Sequence, residues 1–572
     1  MTTPSASAAL TDGFHLLVDA LKLNEIDTIY GLVGIPITDL ARIAQNSGMR
    51  FIGFRHETSA GNAAAAAGYL SQRPGVCLTV SGPGFLNGLV ALANASTNCF
   101  PMIHIAGSSE RSIVDLQRGD YEELDQLAAA RAFAKAAYRI GRVEDIGIGV
   151  ARAIRTALSG RPGGVYLDIP GAVLAQAIDA GAAADTIWRV VDPAPRQLPA
   201  DDAVDRALGL LKEAQRPLIV LGKGAAYAQA DKTIRTFVES TGIPFLPMSM
   251  AKGLLPDSHP QSVAAARSLA LSRADVVLLI GARLNWLLSH GESPPWSADV
   301  RFIQVDIEAS EFDSNRPIAA PLTGDIESVM SALIDRSQTR PIAAPAAWTT
   351  ELGERKAHNE AAMRKRLADD PHPMRFFNAL RTVRDVLAEH PEAYVVNEGA
   401  NALDVARNVI DMEAPRHRLD SGTWGVMGIG LGYAIATAVE TGHPVVAIEG
   451  DSAFGFSGME FETICRYGLP ITVVILNNGG VYRGDEQTDA GAGPAPTVLS
   501  ARARHELIAE AFGGKGYHVT TPTELKSALS DALASGRPAI VDCQLDPAAG
   551  VESGHLTSLN PKSAPHRRHY GS

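Results

Sequence analysis

Short apolar runs alternate with helix-like segments along most of this chain, and each run gives way to a loop of polar or small residues. Apolar residues fall at helical spacing over 12–23, and short runs follow at 28–33, 51–55, 76–80 and 102–106. Alanine-rich or amphipathic stretches at 59–70 and 87–95 lie between them. Runs of this length suit strands buried on both faces, and the intervening stretches suit covering helices. The same alternation returns at 217–221, 276–280 and 302–305, and again at 394–397, 445–448 and 471–476. The pattern predicts an α/β chain of three doubly wound parallel-sheet domains. A Pro/Ala-rich stretch at 191–203 reads as one linker. Residues 341–373 read as a second, enclosing a charged helical piece at 351–367. The expected domains are therefore 1–190, 191–345 and 370–550. The tail 551–572, poor in apolar residues, reads as a mobile end or a lid.

Composition changes this picture little. Of 572 residues, 46% are hydrophobic and 20% charged, as in a soluble globular protein of several domains. No run approaches the ~18 uninterrupted apolar residues of a membrane span. The N-terminus carries no basic segment followed by an apolar core, so no secretory signal is expected. The cysteines, Cys77, Cys99, Cys465 and Cys543, stand singly without metal-ligand spacing, which fits a reduced, cytoplasmic setting. A net charge of −12 disfavours a nucleic-acid partner and leaves any anionic substrate to be met by local cations.

The chemistry concentrates in residues 443–482. A strand at 445–448 exits into Glu449-Gly450-Asp451. Ser457 and Glu460 have the spacing of a capping box for a helix ending at Tyr467, with Gly468 and Pro470 beyond. A second strand at 471–476 exits into Asn477-Asn478-Gly479-Gly480. A right-handed β-α-β crossover puts both exit loops at one sheet edge. An Asp, an Asn and a glycine carbonyl would meet there, a hard-oxygen set suited to Mg²⁺ with positions left for phosphate and water. The first domain offers a matching carboxylate, Glu57, after the strand at 51–55, and a Ser81-Gly82-Pro83-Gly84 loop after the strand at 76–80. The central domain carries no acid–base set and no Gly-x-Gly-x-x-Gly run after a strand, so a dinucleotide redox cofactor is poorly supported.

The Gly450-Asp451-Ser452 and Asn477-Asn478 pairs, 24 residues apart, resemble the metal–diphosphate motif of thiamine diphosphate enzymes, although that family usually has Gly where Ser452 stands. Phe54-Arg55-His56-Glu57 and Ser81–Gly84 resemble its pyrimidine-binding domain. Longer strings carry the likeness further: YGLVGIPITDL from Tyr30, VDLQRGDYEELDQ from Val114, LGKGAAYAQAD from Leu221, GARLNWLLSHG from Gly281, DSGTWGVMGIGLG from Asp420 and VESGHLTSLNPK from Val551. As a set they resemble the oxalyl-CoA decarboxylase family, whose sister family is 2-hydroxyacyl-CoA lyase.

The resemblance implies a division of labour. Glu57 would bond the pyrimidine N1′ of thiamine diphosphate, a strong charge-assisted contact that makes the coenzyme's 4′-amino group basic. Asp451, Asn478 and the Gly480 carbonyl would hold Mg²⁺, with Ser452, Ala453 and Tyr482 beside the diphosphate. Gly425 would accept a bond from the 4′-amino group, and Met427 would wedge between the rings. Ile35, Tyr121, Glu122, Tyr482 and Ser553 would line the reaction space, although Tyr121-Glu122 alone reads as an exposed helical pair. Arg267 and Arg407 would meet coenzyme A. Lys223, Arg283, Asp306, Ile307 and Ile326 match a site for an ADP activator. The implied reaction is decarboxylation of oxalyl-CoA to formyl-CoA in oxalate catabolism. The alternative is lyase cleavage of a 2-hydroxyacyl-CoA to formyl-CoA and an aldehyde or ketone. Gly82 and the segment 291–296 lean toward the lyases, and Thr58 stands where Gln commonly follows the glutamate in the decarboxylases. An obligate homodimer, assembled as a homotetramer, is implied because the family's two half-sites meet across subunits.

Overall fold

The computed structural model describes residues 9–488 and 493–552. Seventeen strands build three parallel sheets. The first has β1 (Thr28–Gly31), β2 (Arg50–Gly53), β3 (Gly75–Thr79), β4 (Met102–Ser108), β5 (Ala136–Arg139) and β6 (Gly164–Pro170), in the order β2-β1-β3-β4-β6-β5. The central sheet has β7 (Pro217–Leu221), β8 (Phe245–Pro247), β9 (Val276–Ile280), β10 (Arg301–Asp306) and β11 (Ile318–Thr323), in the order β8-β7-β9-β10-β11. The third has β12 (Tyr394–Glu398), β13 (Arg418–Asp420), β14 (Val445–Gly450), β15 (Ile471–Asn477), β16 (Lys515–Val519) and β17 (Ala539–Gln544), in the order β13-β12-β14-β15-β17-β16. The first and third sheets thus share one strand order. A separate antiparallel pair, Leu10–Asp12 with Ala177–Asp179, ties the two ends of the first unit together.

Central strands such as β3, β9 and β15 are buried along their whole length, as continuous apolar runs in parallel sheets require. The helix Glu57–Ser71 is buried almost all round, which its alanines permit. It packs against the helix Gly430–Thr441 of the third unit. A Cβ on Gly432 would come within 2.7 Å of the Ser59 carbonyl, so glycine sets how close the two helices lie. Residues 187–200 carry neither helix nor strand. The charged connector forms the helix Ala346–Ala368, longer than expected, and it is docked: Trp348 is buried and donates to the Pro217 carbonyl at 2.9 Å.

Two local expectations are corrected. Ser457 makes no capping bond; it ends a helix, Asp451–Ser457, that starts at the expected metal ligand itself. A 3₁₀ turn, Gly458–Glu460, links that helix to Phe461–Arg466. Glu460 is buried and turns to the first unit, accepting from the backbone N–H groups of Arg55 (3.1 Å) and His56 (2.9 Å) and from the Thr463 hydroxyl. Those donors would be orphaned without it, so they outweigh a local cap. Tyr121 and Glu122 are not helical either; they lie on an irregular segment before the helix Gln126–Arg131.

Candidate functional site

In open α/β sheets, ligands collect beyond the strand carboxyl ends where the strand order reverses. In the third sheet that point lies between β12 and β14, whose exits carry Glu398 and Asp451. Asp451 is buried, and its two carboxylate oxygens accept from the N–H groups of Ser452 and Gly479, each at 2.9 Å. Burial pushes its carboxyl up to about 6, and these N–H groups oppose the rise. Asn478 donates its amide nitrogen to the carbonyls of Tyr482 (2.8 Å) and Ala549 (2.7 Å). Its amide oxygen is thereby left as the ligand-capable atom. Gly479 takes a positive φ of 78°, the turn that brings this loop back toward Asp451. An Asp oxygen, an Asn oxygen and a backbone carbonyl form a donor set that fits Mg²⁺ carrying a diphosphate. Ala453 is buried behind Asp451, and Ser452 is half-buried.

Above this cluster sits the loop 421–428. Gly425 is open, with room for a Cβ, and Met427 is half-buried. The turn after Met427 is pinned from beneath by Glu398, which accepts from the N–H groups of Gly428 and Gly430. Glu398 and Glu449 are both buried against Gly430. Burial pushes both carboxyls up, that of Glu449 further because Glu398 lies beside it. Sequence reasoning gave these two glutamates no role; their signal was their position at strand ends flanking the glycine loop.

In the first sheet the reversal lies between β1 and β3. Glu57, after β2, is buried at the start of its helix and accepts from the Asn87 amide at 3.0 Å. Asn87 was not foreseen, since an Asn on a helix has no distinguishing pattern. The β3 exit holds Ser81, whose hydroxyl bonds Glu122, and Gly82, whose N–H donates to Gln126 at 2.6 Å. Gly82 has a φ of 50°, and a Cβ there would meet Glu122 at 2.9 Å. The glycine therefore lets the loop carrying Glu122 close over the strand end. Ile35, 72% exposed, and Tyr121, 81% exposed, stand at the same edge without cover from their own chain. Trp296 is buried and bonds the Leu288 carbonyl, so segment 291–296 is scaffold around the central sheet.

A cavity of about 1120 Å³ opens between the central sheet and the other two units. It brings together Arg267, Arg407, Lys223, Arg283, Asp306, Ile307 and Ile326 with Gly425 and Met427. The residues expected for coenzyme A and for ADP therefore share one space that reaches the 421–428 loop. Lys223 bonds Asn98 of the first unit at 2.6 Å, and burial pushes its ammonium down to about 7. Arg283 donates to the Thr97 carbonyl, Arg267 to the Leu287 carbonyl, and Arg407 pairs with Asp404. Arg161, unforeseen, lines the same cavity.

The Glu57 carboxylate accepts from Asn87 of the first unit, and the Asp451 carboxylate from N–H groups of the third. Tyr482 offers its backbone carbonyl to Asn478, and Gly550 passes close by, with the Val551 N–H on Asn401. Ser553 lies outside the described residues. No described helix is long and apolar enough to cross a membrane.

Comparison with known proteins agrees with this layout. Family models described as the thiamine pyrophosphate enzyme N-terminal TPP binding domain, central domain and C-terminal TPP binding domain match residues 11–129, 204–333 and 399–543. An oxalyl-CoA decarboxylase of Escherichia coli (strain K12) is 60% identical over 97% of this chain and 98% of its own length. A 2-hydroxyacyl-CoA lyase of Arabidopsis thaliana is 45% identical over 98% and 99%. A human 2-hydroxyacyl-CoA lyase 1 is 42% identical over 94% and 95%.

Proposed function

The chain belongs to the thiamine pyrophosphate enzyme family, and from that premise we propose that it decarboxylates oxalyl-CoA to formyl-CoA and CO₂ in oxalate catabolism. The observation that carries the reading is the 60% identity to an oxalyl-CoA decarboxylase over nearly both full lengths, against 45% for a lyase of similar coverage. The lyase reading keeps one specific support, the Gly82 position beside the reaction space.

Thiamine diphosphate, when bound, supplies the electron sink for the bond to CO₂. Everything else falls to this chain. Asp451, Asn478 and the Gly480 carbonyl hold Mg²⁺ on the diphosphate, with Ser452 and Ala453 at the helix start beside it. Glu57, steadied by Asn87, holds a proton at the pyrimidine N1′. The Gly425 carbonyl would accept from the coenzyme's 4′-amino group, and Met427 would lie against its rings. Ile35 gives the departing carboxylate an apolar wall, poor at solvating charge. Tyr121, Glu122, Tyr482 and Ser553 would order the water that supplies the proton of the formyl product. Arg267 and Arg407 meet the phosphates of coenzyme A. Lys223, Arg283, Asp306, Ile307 and Ile326 take ADP as an activator.

The active unit is a homodimer, assembled as a homotetramer, in the cytoplasm. Supporting the dimer, Ile35, Tyr121, Leu86 and Val90 of the first unit and Phe456 and Met459 of the third are exposed apolar side chains around the two half-sites. All four cysteines are free. The working domains are 1–190, 191–345 and 370–550; the tail, expected as a mobile end or a lid, lies outside the described residues beyond Glu552.

The test offers oxalyl-CoA and 2-hydroxyisobutyryl-CoA side by side, with Mg²⁺ and thiamine diphosphate, and measures formyl-CoA. Formyl-CoA formed chiefly from oxalyl-CoA is expected. Formation only from the hydroxyacyl thioester would overturn the reading in favour of the lyase.

A further inference from the structure

A second group of ligating side chains converges where the helix Glu506–Ala511 lies over the outer strands of the third sheet. His518 and Asp542 are register partners on β16 and β17. Partners on adjacent parallel strands point to the same face. Glu506 opens the helix across that face, held close by Gly516, where a Cβ would come within 2.4 Å of the Glu506 carbonyl. His518 Nδ1 lies 3.8 Å from Glu506 Oε2 and 3.8 Å from Asp542 Oδ2. One donor atom from each of the three residues falls within 4.8 Å of the others.

The two carboxylates are buried, at 3% and 0% exposure, and His518 stands at the opening to solvent. Their surroundings account for only part of their charge and hydrogen-bonding capacity. Arg504 pairs with Glu506 Oε1. Asp542 Oδ1 accepts from the Asn477 amide at 3.0 Å, and Oδ2 from the His505 N–H at 3.3 Å. His505 Nδ1 lies 3.7 Å from Asp542 Oδ1. Glu506 Oε2 is buried with no hydrogen-bond partner, and it faces the His518 ring. A buried unsatisfied carboxylate oxygen calls for an occupant.

We propose that Glu506, His518 and Asp542 bind a divalent transition-metal cation, with Zn²⁺ the best match, at a site separate from the Mg²⁺ motif. One imidazole and two carboxylates are a borderline ligand set that favours Zn²⁺ over Mg²⁺. Tetrahedral Zn²⁺ with bonds of about 2.1 Å separates its ligands by about 3.4 Å, so the 3.8 Å pairs close by a few tenths of an ångström. The open side next to His518 leaves the fourth position to water. The cation ties edge strand β16 and the helix to β17. Through Asp542 and Asn477 it stiffens the base of the loop that carries Asn478.

The test uses the full chain, stripped with chelator and reloaded with saturating Mg²⁺ and thiamine diphosphate. Zn²⁺ is then titrated, and bound metal is measured by elemental analysis and located by anomalous scattering at the zinc edge. The wild type should retain about one Zn²⁺ per chain at this cluster, and His518→Ala and Glu506→Gln should weaken binding at least tenfold, with folding kept. Glu506→Gln is nearly isosteric, so it decides the matter should His518→Ala lose its fold. Equal binding by wild type and variant, an anomalous peak elsewhere, or no uptake at micromolar Zn²⁺ would overturn the proposal.

Discussion

Glu57 shows what a single side chain contributes here. It is buried, and among the described residues one of its carboxylate oxygens accepts from the Asn87 amide, which leaves the other to meet a ligand. Glu57→Gln should cut kcat by roughly 10²–10⁴ while the melting temperature stays within a few degrees, as read by steady-state kinetics and thermal scans. Full activity in that variant would remove Glu57 from the mechanism. Glu57 was legible in the sequence because a strand end and a downstream metal motif framed it. Asn87 was not, because nothing local marks one helical Asn as pointing at a carboxylate. Lys223 carries a second residue-level expectation. Burial holds its ammonium down at about 7, so it loses its charge as pH rises through that value. ADP binding to the central cavity, measured by calorimetry, should weaken from pH 7 to pH 8.5. Unchanged or tighter binding at the higher pH would exclude Lys223 as a phosphate contact.

At the scale of elements, the informative joint is between β2 and the third unit. β2 is an edge strand, and its Gly53 N–H and Phe51 carbonyl are taken by the Tyr467 hydroxyl. Covering an edge in this way prevents stray pairing. Glu460 extends the joint by holding the Arg55 and His56 N–H groups just before Glu57. Apolar periodicity found nearly every strand flanking the site, since strands buried on both faces read as plain apolar runs. It misread Ser457 and Glu460 because a capping-box spacing is local, whereas the donors that capture Glu460 are some 400 residues away. Glu460→Ala should cost ~1–3 kcal/mol for each orphaned N–H. It should also weaken coenzyme binding, measured by titration of activity with thiamine diphosphate.

The same joint predicts a pH dependence. Burial raises the Glu460 carboxyl from its ordinary 4.5 to about 7, so the folded state binds this proton more tightly than the unfolded chain. Its favourable contribution is complete below 4.5 and is lost as pH rises through 7. Glu460→Gln removes that titration. The stability of the variant relative to wild type, from urea unfolding, should therefore improve between pH 5 and pH 8. A difference that stays flat or moves the other way would contradict a buried, proton-binding Glu460.

For the whole molecule, the three-sheet architecture was readable from alternation alone, and the shared strand order of the first and third sheets was not, because topology repeats here without repeated letters. The docking of the charged helix Ala346–Ala368 was equally hidden: its sequence looks solvated, and only Trp348, Leu352 and Leu367 carry it into the core. The proposed active site, completed by a second copy, would exceed what one chain displays. The Glu57 half-site and the Asp451 half-site each sit beneath exposed apolar side chains, Ile35 at 72%, Tyr121 at 81% and Phe456 at 63%. Such surfaces are those a second copy covers.

The central claim is that Glu57 of one subunit and the Asp451–Asn478 metal loop of another act on one coenzyme. Co-refolding or co-expressing Glu57→Gln with Asp451→Asn chains tests it directly, because each heterodimer pairs one fully intact site with one doubly altered site. Formyl-CoA production from oxalyl-CoA should return to about a quarter of the wild-type rate under random pairing, although each variant alone is nearly inactive. Mixed oligomers that stay as inactive as either parent would place both carboxylates in the same chain's site and contradict the account.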